Sequence, residues 1–295
     1  MRSDFAVMII SHGRADNVLT VRTLRRNGYT GRIYIVVDDQ DDQLERYREN
    51  FGAENVLVFS KEEMYWKCDS MENAHNMRAA LYARIACFEL ARKVGLKYLL
   101  QLDDDYTGFF FRWVSGDVLR ATECHRLDGP FSAALDFLIA SGADCVAFAQ
   151  GGDYVGGVSS TAASVPLLRK TMNTFFCRTD RPLKFSGVMN DDVNMYVPGT
   201  LRGRLLFTLT SFAIVQPLTQ AAPGGMSEVY RDCGTYLKTF STVMVAPAFV
   251  KVSMLHGGKA GAEHQHWRIH HHVRWECCAP KILSERWRKA KGRRG

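Results

Sequence analysis

The chain alternates short, wholly apolar runs with longer stretches in which apolar residues recur every three or four positions. FAVMII at 5–10 is unbroken and stops at the polar sequence SHGR. A run of that kind, bounded by turn residues, reads as a strand buried on both faces. A helix should follow, started by Asp16 or Asn17 and carried through VLTVRTLRR to Asn27-Gly28, a pair suited to a helix end. RIYIVVDD predicts a second buried strand, and VLVFS at 56–60 a third. Residues 72–94 place apolar side chains at helical spacing up to Gly95. KYLLQLDDD predicts a fourth strand, LDGPFSAALDFLIASG a helix, and CVAFA a fifth strand. Continuous apolar strands alternating with amphipathic helices predict an α/β, Rossmann-like domain with a mixed, largely parallel central sheet.

The second half is less regular. GGDYVGG at 151–157 predicts a glycine-rich loop, TFFCRT a strand, and NDDVNMYVPG the start of a short helix. LLFTLTSFAIVQP is one long strand or a pair, SEVYRDCGTYLKTFSTVMV a helix capped by its serine, and FVKVSMLHGG a final strand. No internal repeat, low-complexity segment or linker divides the chain. The expected organisation is a single domain over 1–280, with halves 1–110 and 111–280, and a tail over 281–295.

In sheets of this kind ligands bind at the carboxyl ends of the strands. SHGR, VVDDQDD and LDDDY all begin at such ends, so they should converge on one crevice. Asp103, Asp104 and Asp105 are adjacent there. At roughly 4 Å and an effective dielectric near 20, two like charges cost about 4 kcal/mol. A solvated strand end is the plain explanation, but the triplet closes a strongly apolar strand and precedes YTGFFF. A divalent cation would remove the cost, and oxygen ligands in a D-x-D spacing suit Mg²⁺ or Mn²⁺.

Other residues carry candidate chemistry. His12 and Arg14 flank Gly13 in a tight strand-to-helix loop, where glycine allows close backbone approach and the following helix start favours an anion. A simple polar turn is the alternative. Arg78 and Arg84 are six apart and do not stack on a helix, and Arg84 sits in the more apolar run. Asp191 and Asp192 offer a proton acceptor, or a helix cap together with Asn190. His256 ends a strand before Gly257-Gly258, a place suited to a metal ligand. AEHQHWRIHHHVRW is a metal-rich tract, a cationic and aromatic surface, or a solvated amphipathic segment.

Composition narrows the class. With 295 residues, 46% hydrophobic and 23% charged, the chain is an ordinary soluble globular protein. Its eight cysteines lack paired spacing and mostly lie in apolar contexts, which predicts reduced thiols and a cytoplasmic location. The adjacent Cys277 and Cys278 fit no common zinc spacing. No targeting signal is visible, and no apolar run approaches the roughly 18 residues of a membrane span. The net charge is +7, and the last twelve residues, SERWRKAKGRRG, hold six Lys or Arg against one Glu. Such a tail is a solvated terminus or a handle for nucleic acid.

In this order the motifs resemble those of GT-A glycosyltransferases. LLQLDDD resembles the DxD motif, whose acidic residues hold a divalent metal against the diphosphate of a nucleotide-sugar. FAVMIISHGR is similar to the first strand, whose loop receives the base, and IYIVVDDQD to the second, where Asp38 or Asp39 would meet uracil or ribose. NMRAALYARIACFELA resembles the helix whose basic residues face the nucleotide-sugar, NDDV the motif that supplies a base, and SMLHGG the strand whose histidine completes the metal site. More narrowly, ISHGRADNV, IYIVVDDQD, YARIACFELA and LQLDDDYTGFFFR are similar to the TET-associated glycosyltransferases of bacteriophages, over most of residues 4–260.

The resemblance implies a GT-A-like domain that moves a sugar from a UDP-sugar to the hydroxyl of 5-hydroxymethylcytosine, or another hydroxymethylated pyrimidine, in DNA. It implies Mn²⁺ or Mg²⁺ held by Asp105, Asp103 and His256, and donor contacts from Ser11, His12, Gly13, Arg14, Asp38, Asp39, Arg78, Arg84, Asp103 and Asp104. Asp192 or Asp191 would be the base. Together with the charge pattern, it puts DNA contacts at Trp267, Arg268, Arg274, Arg286, Arg288 and Lys289. The expected location is the cytoplasm, that of the host cell if a phage encodes the protein. Three alternatives keep part of this pattern: a glycosyltransferase acting on a protein or small molecule, a nucleotidyltransferase, and a non-catalytic DNA-binding module. The absence of a GxGxR-like triphosphate loop after the first strand weighs against the second.

Overall fold

The structure, a computed structural model, describes residues 1–71, 77, 79–154, 156–160, 171–216, 226–257 and 266–274. The apolar runs become strands of one nine-stranded sheet. β1 (Phe5–Ile10), β2 (Ile33–Asp38), β3 (Val56–Phe59) and β4 (Tyr98–Asp103) are mutually parallel, in the order β3-β2-β1-β4. The sheet continues from β4 through β8 (Phe175–Arg178), β7 (Cys145–Gln150), β9 (Leu206–Val215), β5 (Gly108–Ser115) and β6 (Val118–Glu123). β8 and β5 oppose the other strands, so the sheet is mixed and largely parallel.

The reason for the unbroken run at β1 is visible in its packing. Ala6, Met8 and Ile10 enter one core with Leu81, Phe88 and Leu90 of α4 (Ala80–Lys93). Phe5, Val7 and Ile9 enter the opposite core with Leu24 of α1 (Leu19–Arg26) and Phe131 and Leu135 of α5 (Asp128–Ser141). Each such side chain contributes roughly 1.5–3 kcal/mol by burial, so a polar residue on either face would be costly. Cys87, Cys124, Cys145 and Cys177 are buried free thiols.

Beyond the main sheet, α6 (Asp191–Leu201) precedes β9, and α7 (Met226–Val245) leads to the antiparallel pair β10 (Val250–Gly257) and β11 (His266–Val273). Val250 and Val273 join the cluster that α4 packs into. Asn190 Nδ2 donates to Thr242 Oγ1 at 2.9 Å and lies 3.4 Å from His271 Nδ1, which ties this small sheet to the start of α6. No helix among the described residues is long and apolar enough to cross a membrane.

Several elements differ from expectation. FVKVSMLHGG is not the final strand, because the histidine-rich run forms β11 beside it. LLFTLTSFAIV is one strand. GFFFRWVS and VLRATE form a hairpin closed at Gly116, whose φ of +59° suits a two-residue turn. Two short helices, α2 (Leu44–Phe51) and α3 (Lys61–Lys67), occupy stretches for which the pattern predicts no element. Neither Asp16 nor Asn17 caps α1; Asp16 instead accepts from Arg46 and Asn50. Ser227 lies inside α7, one residue past its start. The helix expected over 72–94 begins at Ala80: Met77 has φ +51° and Ala79 is extended, while 72–76 and 78 lie outside the described residues.

Candidate active site

The turn after β4 is held by two threonines of α1, one helical turn apart. Thr20 Oγ1 donates to the Asp103 carbonyl at 2.6 Å and accepts from Tyr106 N at 2.9 Å. Thr20 N donates to the Asp104 carbonyl at 3.0 Å, and Thr23 Oγ1 to the Tyr106 carbonyl at 2.8 Å. The three aspartates therefore stand on a fixed turn.

Their crowding is resolved by alternation. Successive side chains at a strand end point to opposite faces, and each of the first two meets an arginine. Asp103 Oδ1 accepts from Arg84 Nη2 at 3.0 Å. Asp104 Oδ1 accepts from Arg14 Nη1 at 3.1 Å and its Oδ2 from Ser11 Oγ at 2.6 Å, with Tyr47 Oη 2.8 Å from the same hydroxyl. Burial pushes the Asp104 carboxyl up against the pull of Ser11 and Arg14. Asp105 has no such relief: its Oδ1 is buried without a hydrogen-bond partner among the described residues. Burial, followed by the charges of Asp103 and Asp104, pushes its carboxyl up to about 7.

Arg84 extends this network to a second acidic motif. Its Nε donates to Asp191 Oδ2 at 2.8 Å, and its guanidinium lies 5.2 Å from the Phe175 ring centroid. Burial opposes its charge, but Asp103 and Asp191 outweigh it and hold the proton more firmly than usual. Asp191 opens α6, after Asn190 in a left-handed conformation at φ +54°. Burial raises its carboxyl above the ordinary range, despite Arg84, with Asp192 and Asp103 adding to the rise. The Asp191 side chain is 18% exposed, whereas Asp192 is 7% exposed and its Oδ1 accepts from Val193 N at 2.8 Å.

A third group sits at the ends of β1 and β2. His12 Nδ1 lies 2.7 Å from Asp38 Oδ2 and 3.3 Å from Asp41 Oδ2. Lys61 Nζ lies 3.0 Å from Asp38 Oδ1, and Gly13 N donates to Asp41 Oδ2 at 2.7 Å. The hydrogen bond to Asp38 raises His12 above its ordinary value, more than burial lowers it. His12, Asp38 and Asp41 bring ligand-type atoms within 4.8 Å of one another, a spacing open to a metal ion. The charges argue otherwise. Lys61 already pairs with Asp38 and His12 with both carboxylates, so a cation would have to displace these partners. Asp39 is exposed, and its Oδ1 accepts from Lys61 N at 3.0 Å. Gly13 has a φ of +66°, a conformation that favours glycine, and an added Cβ would meet no protein atom.

The structure thus joins Ser11, Arg14 and Asp104; Arg84, Asp103 and Asp191; and His12 and Asp38. Arg84, expected among the donor contacts, is buried with its guanidinium paired to Asp103 and Asp191. Arg78 and the tail with Arg286, Arg288 and Lys289 lie outside the described residues, as do the side chains of His256 and Arg268. Trp267 is 65% exposed on β11, and Arg274 follows it exposed. Sequence reasoning missed Tyr47, Asp41 and Lys61. Asp41 stood within the acidic run after β2; Tyr47 and Lys61 carried no signal beyond a helix nobody would infer from so few apolar residues.

The model of the TET-associated glycosyltransferase family matches residues 5–225, which span the whole network from Ser11 to Asp192. The chain belongs to this family. It is a glycosyltransferase with an α/β fold. No curated protein matches its sequence. Among solved structures, it is similar to glucosyl-3-phosphoglycerate synthase from Mycobacterium tuberculosis in complex with Mg²⁺ and UDP, with 11% identity, 85% of this chain and 83% of that one covered, and a TM-score of 0.47. It is also similar to TarS from S. aureus, with 15% identity, 71% of this chain and 36% of that one covered, and a TM-score of 0.41. Likeness at this level identifies neither donor nor acceptor for this glycosyltransferase.

Proposed function

We propose that this glycosyltransferase moves a sugar from a UDP-sugar to the hydroxyl of a 5-hydroxymethylated pyrimidine in DNA. The observation that carries the transfer reading is the convergence of five carboxylates, Asp103, Asp104, Asp105, Asp191 and Asp192, around two guanidinium groups of the described residues, those of Arg84 and Arg14. A site so short of positive charge fits a hard divalent cation, Mn²⁺ or Mg²⁺, and the orphaned Oδ1 and raised carboxyl of Asp105 mark where it fits. Asp105 and Asp103 would hold it. Bound there, the ion would offset the charge of the leaving diphosphate.

The chain's own residues do the rest. Ser11, His12 and Asp38 stand at the ends of β1 and β2, where the base and ribose of the donor would lie. Asp191 is the preferred proton acceptor. It is the more exposed of the pair, and burial gives it a carboxylate readier to take a proton at neutral pH than an ordinary aspartate. Asp192, the first expectation for that role, is turned inward and occupied by backbone. The acceptor reading rests on the family resemblance and on charge: six Lys or Arg in the last twelve residues, with exposed Trp267 and Arg274 on the small sheet.

The test is to incubate the protein with Mn²⁺, a panel of nucleotide-sugars, and DNA with and without hydroxymethylcytosine, then digest the DNA and weigh the nucleosides. The expected product is one hexose on the hydroxymethylated nucleoside only. Truncation after Pro280 should raise the KM for DNA and leave UDP-sugar binding unchanged. Equal transfer to unmodified DNA, or transfer to a protein or free sugar with none to hydroxymethylated DNA, sinks the reading.

A further inference from the structure

Taking a guanidinium out of water is costly unless its charge is met. The Arg84 side chain is only 4% exposed, and it is met twice: by Asp191 at 2.8 Å and Asp103 at 3.0 Å. The two carboxylates belong to different elements, the end of β4 and the first turn of α6. The ring of Phe175, on β8, lies under the guanidinium, and Gln101 Nε2 donates to the Arg84 carbonyl at 2.8 Å, so backbone and side chain are both fixed. The remaining nitrogen, Nη1, is buried and makes no hydrogen bond among the described residues. A planar fork with several donors can span two carboxylates in this way; the compact ammonium of a lysine cannot.

We infer that Arg84 is the positioning residue of the transfer site, an ionic link that sets the separation between Asp191 and the aspartates after β4. The inference rests on the reading of Asp191 as proton acceptor and Asp103 as metal-facing. The link has two consequences of opposite sign. It holds the acceptor carboxylate in place, and misplacement of a reacting group by about 1 Å costs roughly a hundredfold in rate. Its positive charge also repels a divalent cation and occupies Asp103 Oδ1, so the site binds metal less tightly than its carboxylates alone would.

Removing the guanidinium should therefore pull the two readouts apart. In Arg84→Met, the kcat for UDP release from whichever nucleotide-sugar the wild type turns over should fall by about a hundredfold. Mn²⁺ binding without nucleotide, measured by calorimetry, should tighten by about threefold or more. Arg84→Lys keeps the charge and loses the fork, so Mn²⁺ affinity should stay near wild type while kcat still falls at least about tenfold. A purely structural role would lower both together. Wild-type kcat in Arg84→Lys overturns the inference, as does unchanged or weaker Mn²⁺ binding by folded Arg84→Met. If Arg84→Met does not fold, Arg84→Lys alone decides. If the wild type binds no Mn²⁺, the proposed function fails separately. The link is then read by thermal unfolding of Arg84→Lys, Asp191→Asn and the double variant: non-additive effects support it and additive ones overturn it.

Discussion

Two acidic groups stand side by side at the strand ends, and they differ in how their charge is met. Around Asp38 and Asp41, Lys61 and His12 give each carboxylate a close partner. Around Asp103 to Asp105 and Asp191, Arg84 and Arg14 are the paired cations among the described residues and fall short, and Asp105 has a buried oxygen with no hydrogen-bond partner among them. The geometrically tidier cluster is thus the one with least need of a cation, and the untidy one has most. Proximity of ligand atoms locates carboxylates; the balance of charge decides whether anything must be added to them.

The largest effect should come from the deficient group. Asp105→Ala removes the carboxylate that nothing else satisfies, and Mn²⁺-dependent binding of UDP should be abolished with the fold intact. His12→Gln, in the balanced group, should leave the Mn²⁺ requirement as it is. Calorimetry of both variants with UDP, with and without Mn²⁺, checks the contrast; loss of the requirement in His12→Gln alone would reverse it.

Next in size is turnover. Asp191→Asn keeps the shape and removes the proton acceptor, and should lower kcat by about a hundredfold with donor affinity nearly unchanged. Asp192→Asn should cost less, since that side chain accepts from backbone N–H at Val193 and is buried. Steady-state rates of the two variants order them. The reverse order returns the role to Asp192, and full activity in both points to a retaining reaction or another base.

Why one of these groups was easier to read than the other follows from what each rests on. β1 announced itself because both faces are buried, which leaves no polar position in the run, and β2 to β4 follow it closely, with Gln101 of β4 a buried polar exception. The acidic clusters then followed from topology alone. The Arg84–Asp191 link did not, because it joins α4 to α6 through space and neither motif carries a trace of the other. β11 was hidden differently. Ile269, His271 and Val273 alternate inward, but with histidine in the buried place the apolar period disappears. The β5–β6 hairpin carries no alternating pattern because Phe111, Trp113, Val114 and Val118 stay exposed, against the usual sorting.

Stability should also separate the groups by pH. The Asp105 carboxyl is raised from 3.8 to about 7, so its proton is held more tightly folded than unfolded. The folded state then loses stability as pH rises from 3.8 to about 7, and the loss is complete above that. With a chelator present, Asp105→Asn should be more stable than wild type at alkaline pH by about 1–2 kcal/mol, a figure reduced for the solvent that reaches the group, and no more stable in acid. Denaturant titrations at the two extremes measure this. A variant that is destabilised under alkaline conditions would mean that Asp105 is well satisfied after all.

The smallest effect belongs to the balanced group, where stability also falls as pH rises but the substitution destabilises instead of stabilising. The hydrogen bond to Asp38 raises His12 above 6.5, its ordinary value. Its contribution to stability is therefore complete below 6.5 and is lost as pH rises through the folded value above it. Because the His12 side chain is 56% exposed, water screens the pair, and the contribution should stay below about 1 kcal/mol. His12→Gln should lower the Tm by about a degree or two in mildly acidic buffer and by nothing measurable once the imidazole is neutral. A difference that persists into alkaline buffer would assign the pair to a neutral hydrogen bond. The charge balance around Asp38 and Asp41 would then rest on Lys61 alone, and that cluster would itself become a place for a cation.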